Sequence, residues 1–193
     1  MTFTKTISKE EIAVMPREVF SGQIVIVNTK EGLRKALSHL SSFKEIGFDT
    51  ETRPSFTKEK HYKMSLMQLS TDDTCFLIRL NKFKKFPKIL ESFLKNKNIK
   101  KIGLSLRDDF NGLLDLTKIY PNNFIDLQDV VSQFGIDELS LRKIYAILFG
   151  KKISKNQQKS NWDVEYLTWP QKRYAALDAW SCLHIYQFLE RLK

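Results

Sequence analysis

The chain has 193 residues, 42% of them hydrophobic, and its 32 Lys and Arg against 22 Asp and Glu give a formal charge of +10. That length supports one domain with a real core, no apolar run approaches a membrane span, and the basic excess favours a polyanion such as nucleic acid as partner. Cys75 and Cys182 form no CxxC pair and Met1–Thr6 lacks a signal-peptide pattern, which argues against zinc and a disulfide framework and makes a reducing cytoplasm the expected compartment.

Met1–Gln23 holds Ile12, Val14, Met15 and Phe20 without a clear period, and reads as an arm packing on a domain that spans residues 24–193. Ile24–Val27 is a strand candidate. Asn28, with Glu31 three residues on, fits a helix-capping pair. Leu33, Ala36, Leu37 and Leu40 mark one face of the helix that follows, which ends at Ser41-Ser42. Ile46–Thr52, Met64–Leu69 and Thr74–Arg79 predict three strands in an antiparallel meander, the last two joined by the turn signal Thr71-Asp72-Asp73. The polar loop Arg53–Lys63 leaves the first of these where a substrate would be gripped or covered.

Phe83–Asn96 predicts a helix with Phe86, Ile89, Leu90 and Phe93 inward. Lys100–Leu104 enters a further strand, Leu106–Ile119 is helical with Phe110, Leu113 and Leu114 on its face, and Phe124-Ile125 starts a short strand. Helices follow near Leu127–Phe134, Leu139–Phe149 and Gln171–Leu192, with Pro170 suited to the start of the last. No internal repeat, low-complexity linker or phosphate-cradling GxxxxGK run is present. Strands first, then α/β units, then helices argue for one α/β domain with a mixed sheet.

The basic residues cluster. Lys82–Arg107 carries nine of them against one acid, Glu91, and Leu139–Trp162 carries Arg142, Lys143, Lys151, Lys152, Lys155 and Lys159 with no acid. Either cluster suits a phosphate backbone or is a solvated surface.

Three segments carry candidate chemistry. In Ile46-Gly47-Phe48-Asp49-Thr50-Glu51-Thr52 the two carboxylates are two apart, so a strand points both to one face. Such a pair repels unless a cation neutralises it, and hard cations prefer oxygen ligands. The alternative is a strand end with two solvated acids. Tyr174 and Asp178 are four apart and share a helical face, which fits either a site or a tyrosine capping a core. Asp108 and Asp109 follow the strand glycine Gly103 at a helix start. There a site is expected, but so are dipole-stabilising acids.

Together, Asp49-Thr50-Glu51, Gly103 with Asp109 after five residues, and Tyr174 with Asp178 after three resemble the motifs of the DEDDy class of 3′–5′ exonucleases. The RNase D group and the exonuclease domain of the Werner syndrome helicase are the nearest in pattern. The resemblance runs from about Glu45 to Tyr186 and includes Phe124-Ile125-Asp126-Leu127, Ser140-Leu141 and Ser160-Asn161-Trp162. It implies a ribonuclease H-like fold, a mixed sheet of five or six strands flanked by helices. It implies hydrolysis at the 3′ end of DNA or RNA with two divalent ions, Mg²⁺ or Mn²⁺. By position, Asp49, Glu51 and Asp178 would hold one ion, Asp49 would also reach the second, with Asp109 acting on it largely through bound water, and Tyr174 would orient the attacking water. Thr50 and Thr52 would hold the terminal nucleotide through their backbone. Thr52, Asp108 and the stretch Trp162–Leu167 depart from the family pattern without removing a ligand, and they leave DNA against RNA and single strand against duplex open. A separate helicase or targeting protein would supply processivity. The rival reading is a non-catalytic nucleic-acid-binding or scaffold protein on the same fold.

Overall fold

Long-range strand pairing decides which parts of this chain meet. The computed structural model describes residues 2–55, 57 and 61–193. Six strands, β1 (Gln23–Val27), β2 (Glu45–Thr52), β3 (Met64–Ser70), β4 (Thr74–Arg79), β5 (Lys100–Gly103) and β6 (Phe124–Asp126), form one sheet in the order β1-β4-β3-β2-β5-β6. The meander β2-β3-β4 is antiparallel as expected. β1 joins β4 in parallel, and β5 and β6 extend β2 in parallel, so β3 alone runs against the rest. Thr71 closes the β3–β4 turn, accepting from the Thr74 N–H at 3.1 Å and donating to the Asp73 carboxylate at 2.9 Å.

Seven helices accompany the sheet among the described residues: α1 (Lys9–Val14), α2 (Lys30–Leu40), α3 (Lys88–Leu94), α4 (Leu106–Leu116), α5 (Leu127–Ser132), α6 (Leu141–Phe149) and α7 (Trp169–Glu190). Every residue of β3 and β4 is buried because both faces of the sheet are covered. Leu66, Leu77 and Ile102 face α5, α6 and α7, packing with Ala175, Ala179 and Leu183. Ile46, Phe48, Met67 and Leu69 face α2, α3 and α4, packing with Leu33, Leu90 and Leu113. Successive residues of β3, Leu66 and Met67, therefore serve opposite layers.

α7 lies unusually close to β2. A Cβ added at Gly47 would stand 1.9 Å from the Ala179 carbonyl oxygen, so only glycine admits the helix backbone here. Gly47→Ala is expected to push α7 off the sheet at a cost of about 1–3 kcal/mol, or roughly 2–12 °C in melting temperature for a chain of this size. A thermal melt that matches the unaltered chain would contradict this packing.

The arm Met1–Gln23 is better ordered than its sequence suggests. Ser8 and Glu11 form a capping box for α1, Ile7 and Ile12 pack on Ala146, and Phe20 enters the main core. Its missing period reflects one short turn of helix with a single buried residue, Ile12.

Four local expectations are corrected. α2 is capped by Thr29, whose hydroxyl accepts from the Gly32 N–H at 3.0 Å, not by Asn28, and Glu31 pairs with Lys35 instead. Two adjacent polar residues made the cap ambiguous by one position. The helix expected from Phe83 starts only at Lys88, because Pro87 holds an extended ψ of 126° and forms the N-cap. Within that helix Ile89 is exposed and Leu94 takes the buried position. Leu114 of α4 is likewise exposed while Leu113 is fully buried. Of the loop Arg53–Lys63, residues 56 and 58–60 lie outside the described residues. In the rest, the Arg53 guanidinium stacks 4.6 Å over the Tyr62 ring.

Candidate active site

Period-two alternation puts Asp49 and Glu51 on the α7 face of β2. α7 is set in register by a capping box of Thr168 and Gln171 with Pro170 in its first turn. It brings Asp178 over them. The carboxylate oxygens of Asp49, Glu51 and Asp178 come within 4.8 Å of one another. Tyr174, one turn before Asp178, lies close enough for its hydroxyl to oppose the rise of the Asp178 pKa, and it packs on the fully buried Trp162, ring centroids 6.0 Å apart.

Asp109 stands apart from this trio. Thr50, between the two strand acids, points to the other face of β2 and donates its hydroxyl to the Asp109 carboxylate. Phe110, next in α4, stacks edge-on against Phe124 at 5.2 Å, and Phe124 against Phe48 at 4.9 Å, which pins the helix to the sheet. The start of α4 is unusual: Ser105 has φ 59°, a left-handed conformation that costs about 1–2 kcal/mol for a non-glycine residue. Asp126, at the end of β6, offsets it. Its carboxylate accepts from the N–H groups of Ser105 at 3.0 Å and Leu106 at 2.8 Å, and also caps α5 through Gln128 at 3.0 Å. Asp126 thus positions the turn that carries Asp109. Its neighbour Asp108 is exposed.

Of the expected substrate residues, Thr50 lines the cavity beside the carboxylates, and its hydroxyl is engaged by Asp109. Thr52 follows a register shift in β2, is exposed, and is not part of the cavity wall. The cavity, about 360 Å³, is faced on its far side by Leu139, Arg142, Ile153, Lys155 and Gln158.

The expected basic clusters are divided by the fold. Lys151 pairs with Glu18 at 2.9 Å and Lys152 donates to the Ala13 carbonyl, so both hold the arm. Lys155 and Arg142 remain at the cavity. In the other cluster Lys101 is fully buried, donating to the Asn96 and Ile99 carbonyls at 2.7 and 2.8 Å, and burial pushes it down to about 8. Lys100 is tied to Glu45 and Tyr186. Charge counting does not see partners inside the chain.

Burial dominates the electrostatics of the carboxylates. It raises Asp49 well above the ordinary carboxylate range, with the charges of Asp178 and Asp109 adding to it. Burial, then the charge of Asp49, pushes Glu51 up to about 10. Asp178 rises to about 7 by burial, opposed by the Tyr174 hydroxyl and the charge of Lys155. Asp109 rises to about 6 by burial, opposed by the Thr50 hydroxyl. Burial also pushes the Tyr174 phenol upward, with Asp178 next in effect, so Tyr174 stays protonated. An all-oxygen donor set that is reluctant to ionise together fits hard divalent cations, which remove the repulsion.

A pH dependence follows with a defined sign. Raised folded pKa values mean that the folded, metal-free chain binds more protons than the unfolded one. The contribution is fully present below the ordinary carboxylate value of about 4. It is lost as pH climbs towards about 6 for Asp109, about 7 for Asp178 and about 10 for Glu51. The melting temperature of the metal-free chain is expected to fall between about pH 5 and pH 8, and Mg²⁺ or Mn²⁺ at the upper end should reverse much of the fall. A metal-free melting temperature that rises across that interval would contradict the assignment.

One buried residue escaped the sequence reading. Gln68 lies directly opposite Asp49 in the β2–β3 register, is fully buried, and neither of its amide atoms has a protein partner among the described residues. Its strand is buried on both faces, so no alternation marks it.

Comparison with known proteins gives a consistent picture. A family model described as 3′–5′ exonuclease matches residues 24–192. The bifunctional 3′–5′ exonuclease/ATP-dependent helicase WRN of Mus musculus is 33% identical over 158 residues, which cover 79% of this chain and 11% of that protein. The chain spans 26% and 39% of two further curated exonuclease relatives. The crystal structure of the Aedes aegypti Nibbler EXO domain superposes with TM-score 0.81 at 24% identity, covering 90% of this chain and 91% of that one. The Trypanosoma brucei RNase D complex with RNA U12 gives TM-score 0.78 at 22% identity, with coverage of 96% and 66%. Both confirm the ribonuclease H-like arrangement of a mixed six-stranded sheet between helices.

Proposed function

This chain belongs to the 3′–5′ exonuclease family, and from that premise we propose that it removes nucleotides from the 3′ end of a DNA or RNA strand with two divalent cations, Mg²⁺ or Mn²⁺. The observation that carries the reading is the convergence of Asp49, Glu51 and Asp178, together with Tyr174, on the wall of one cavity. Asp49, Glu51 and Asp178 would hold one cation, and Asp49 with Asp109 the second. When bound, such ions supply an activated water and neutralise charge at the phosphorus.

The chain's own groups do the rest. Tyr174 keeps its proton beside Asp178, and its phenol oxygen's lone pairs would accept from a water and orient it for attack. It acts as a positioner, since a phenol held this firmly protonated is a poor base. Thr50 fixes the Asp109 carboxylate, and Asp126 fixes the turn below it. Lys155, close enough to Asp178 to lower its pKa, and Arg142, whose buried Nε has no partner among the described residues, face the space where phosphate oxygens would lie. All five residues the chemistry needs are present, which favours catalysis over a purely binding role.

The fold neighbour from Trypanosoma brucei holds an RNA strand, which makes RNA a natural arm of the test. The experiment is digestion of 5′-labelled DNA and RNA single strands with Mg²⁺ or Mn²⁺. A ladder shortening from the 3′ end supports the reading and identifies the substrate. A few fixed internal cuts would instead indicate an endonuclease.

A further inference from the structure

We propose that a single-stranded substrate, beyond its 3′-terminal nucleotides, lies along a basic and aromatic track running from the active site through Arg53 and Tyr62 to Lys63, Lys84, Lys85 and Lys88. This rests on the exonuclease reading of the carboxylate site and extends it to the rest of the strand.

Three concavities are linked through shared or neighbouring residues. The catalytic cavity is lined in part by Lys155 and Gln158. The next, about 270 Å³, begins with Lys159 and Asn161 on one wall and with Arg53, two residues beyond Glu51, and Tyr62 on the other. The third, about 740 Å³, shares Tyr62 and is lined by Lys63, Phe83, Lys84, Lys85, Phe86 and Lys88. The stacked Arg53–Tyr62 pair at the junction combines a cation and an aromatic face, the surface on which single-stranded bases and their phosphates are held without sequence preference.

The lysines are presented rather than merely exposed. Pro87 ends the irregular segment and starts α3, while half-buried Phe83 and Phe86 anchor it on the core, so Lys84 and Lys85 stand on a short fixed stretch. Lys82 is neutralised by Glu165 at 2.8 Å. Lys63, Lys84, Lys85 and Lys88 make no ion pair among the described residues. The same concavity contains Glu91, Asp115 and Asp163. Glu91 accepts from the Thr117 hydroxyl, and Asp163 from Ser65 at 3.1 Å and Asn81 at 2.9 Å, which leaves Asp115 as the acid without a side-chain partner among the described residues. Of the other basic cluster, Lys151 and Lys152 are engaged by the arm, whereas Arg142 and Lys155 face the catalytic cavity and Lys159 the second concavity, at the near end of the same track.

The test measures binding of a fluorescent single strand of about 16 nucleotides by anisotropy across a salt series, with the unaltered chain and a Lys84→Ala/Lys85→Ala/Lys88→Ala variant. The variant is expected to bind at least about tenfold more weakly and to lose about 2 from the slope of log affinity against log salt. A Lys84→Arg/Lys85→Arg/Lys88→Arg variant should recover both, which separates lost charge from a damaged fold. Equal affinity and equal slope in the Ala variant would overturn the track. Release of the 3′-terminal nucleotide from a short DNA or RNA oligonucleotide by the unaltered chain reports on the carboxylate site separately: no release from either would remove the exonuclease reading, while the binding series would still decide the track.

Discussion

Asp49→Asn is expected to abolish metal-dependent hydrolysis and to remove most of the stabilisation that Mg²⁺ or Mn²⁺ gives the folded chain. Asp49 is buried and feels the charges of both Asp178 and Asp109, as Glu51 does, and it is the carboxylate assigned to both ions. Glu51 and Asp178 lie on one side with it, and Asp109 on the other, held by Thr50. A cation at one hundred times its dissociation constant stabilises a fold by about 2.7 kcal/mol, or roughly 5–11 °C in a chain of this size. Asn keeps the size of Asp and removes its charge. The metal-free variant should therefore melt at or above the unaltered chain at neutral pH, while the rise on adding metal largely disappears. An undiminished metal-dependent rise in Asp49→Asn would show that the ions bind elsewhere.

The second large effect separates two neighbours. Asp109→Ala is expected to lower turnover at least about a hundredfold, a loss of roughly 2.7 kcal/mol of transition-state stabilisation. Asp108→Ala should stay within several-fold of the unaltered chain and act mainly on substrate affinity. The helix turns about 100° between them, and the structure places Asp109 half-buried against Thr50 while Asp108 faces solvent. The assignment would be falsified if the two effects were reversed. Severe, equal loss at both positions would point to damage at the start of α4, where Ser105 and Leu106 already depend on Asp126. Circular dichroism on each variant separates that case.

Much of the site was legible because its signals are local. Two acids two residues apart on an apolar strand must share a face, and a tyrosine four before an aspartate must share another. Likewise the buried face of α2 at Leu33, Ala36, Leu37 and Leu40 follows from helical period alone. What escaped depends on partners distant in sequence. The parallel docking of β1 on β4 joins residues about fifty apart, and no period within Ile24–Val27 announces it. Thr50 read as a residue holding the substrate through its backbone, and what the sequence did not show is that its hydroxyl meets a carboxylate from the opposite layer, 59 residues away. Lys151 and Lys152 read as free charge, yet an arm with no periodic signal meets both of them. Pro87 did carry a local signal, and it outweighed the apolar spacing of Phe83–Asn96 that favoured a longer helix.

The most direct measurement is release of label from a 3′-labelled oligonucleotide, in DNA and RNA forms, with and without Mg²⁺ or Mn²⁺. The account predicts that the labelled terminal nucleotide is the first product, that release requires the cation, and that Asp49→Asn and Asp178→Asn abolish it. No release from either strand at any cation concentration, by a chain that still binds the oligonucleotide, would contradict catalysis at these carboxylates.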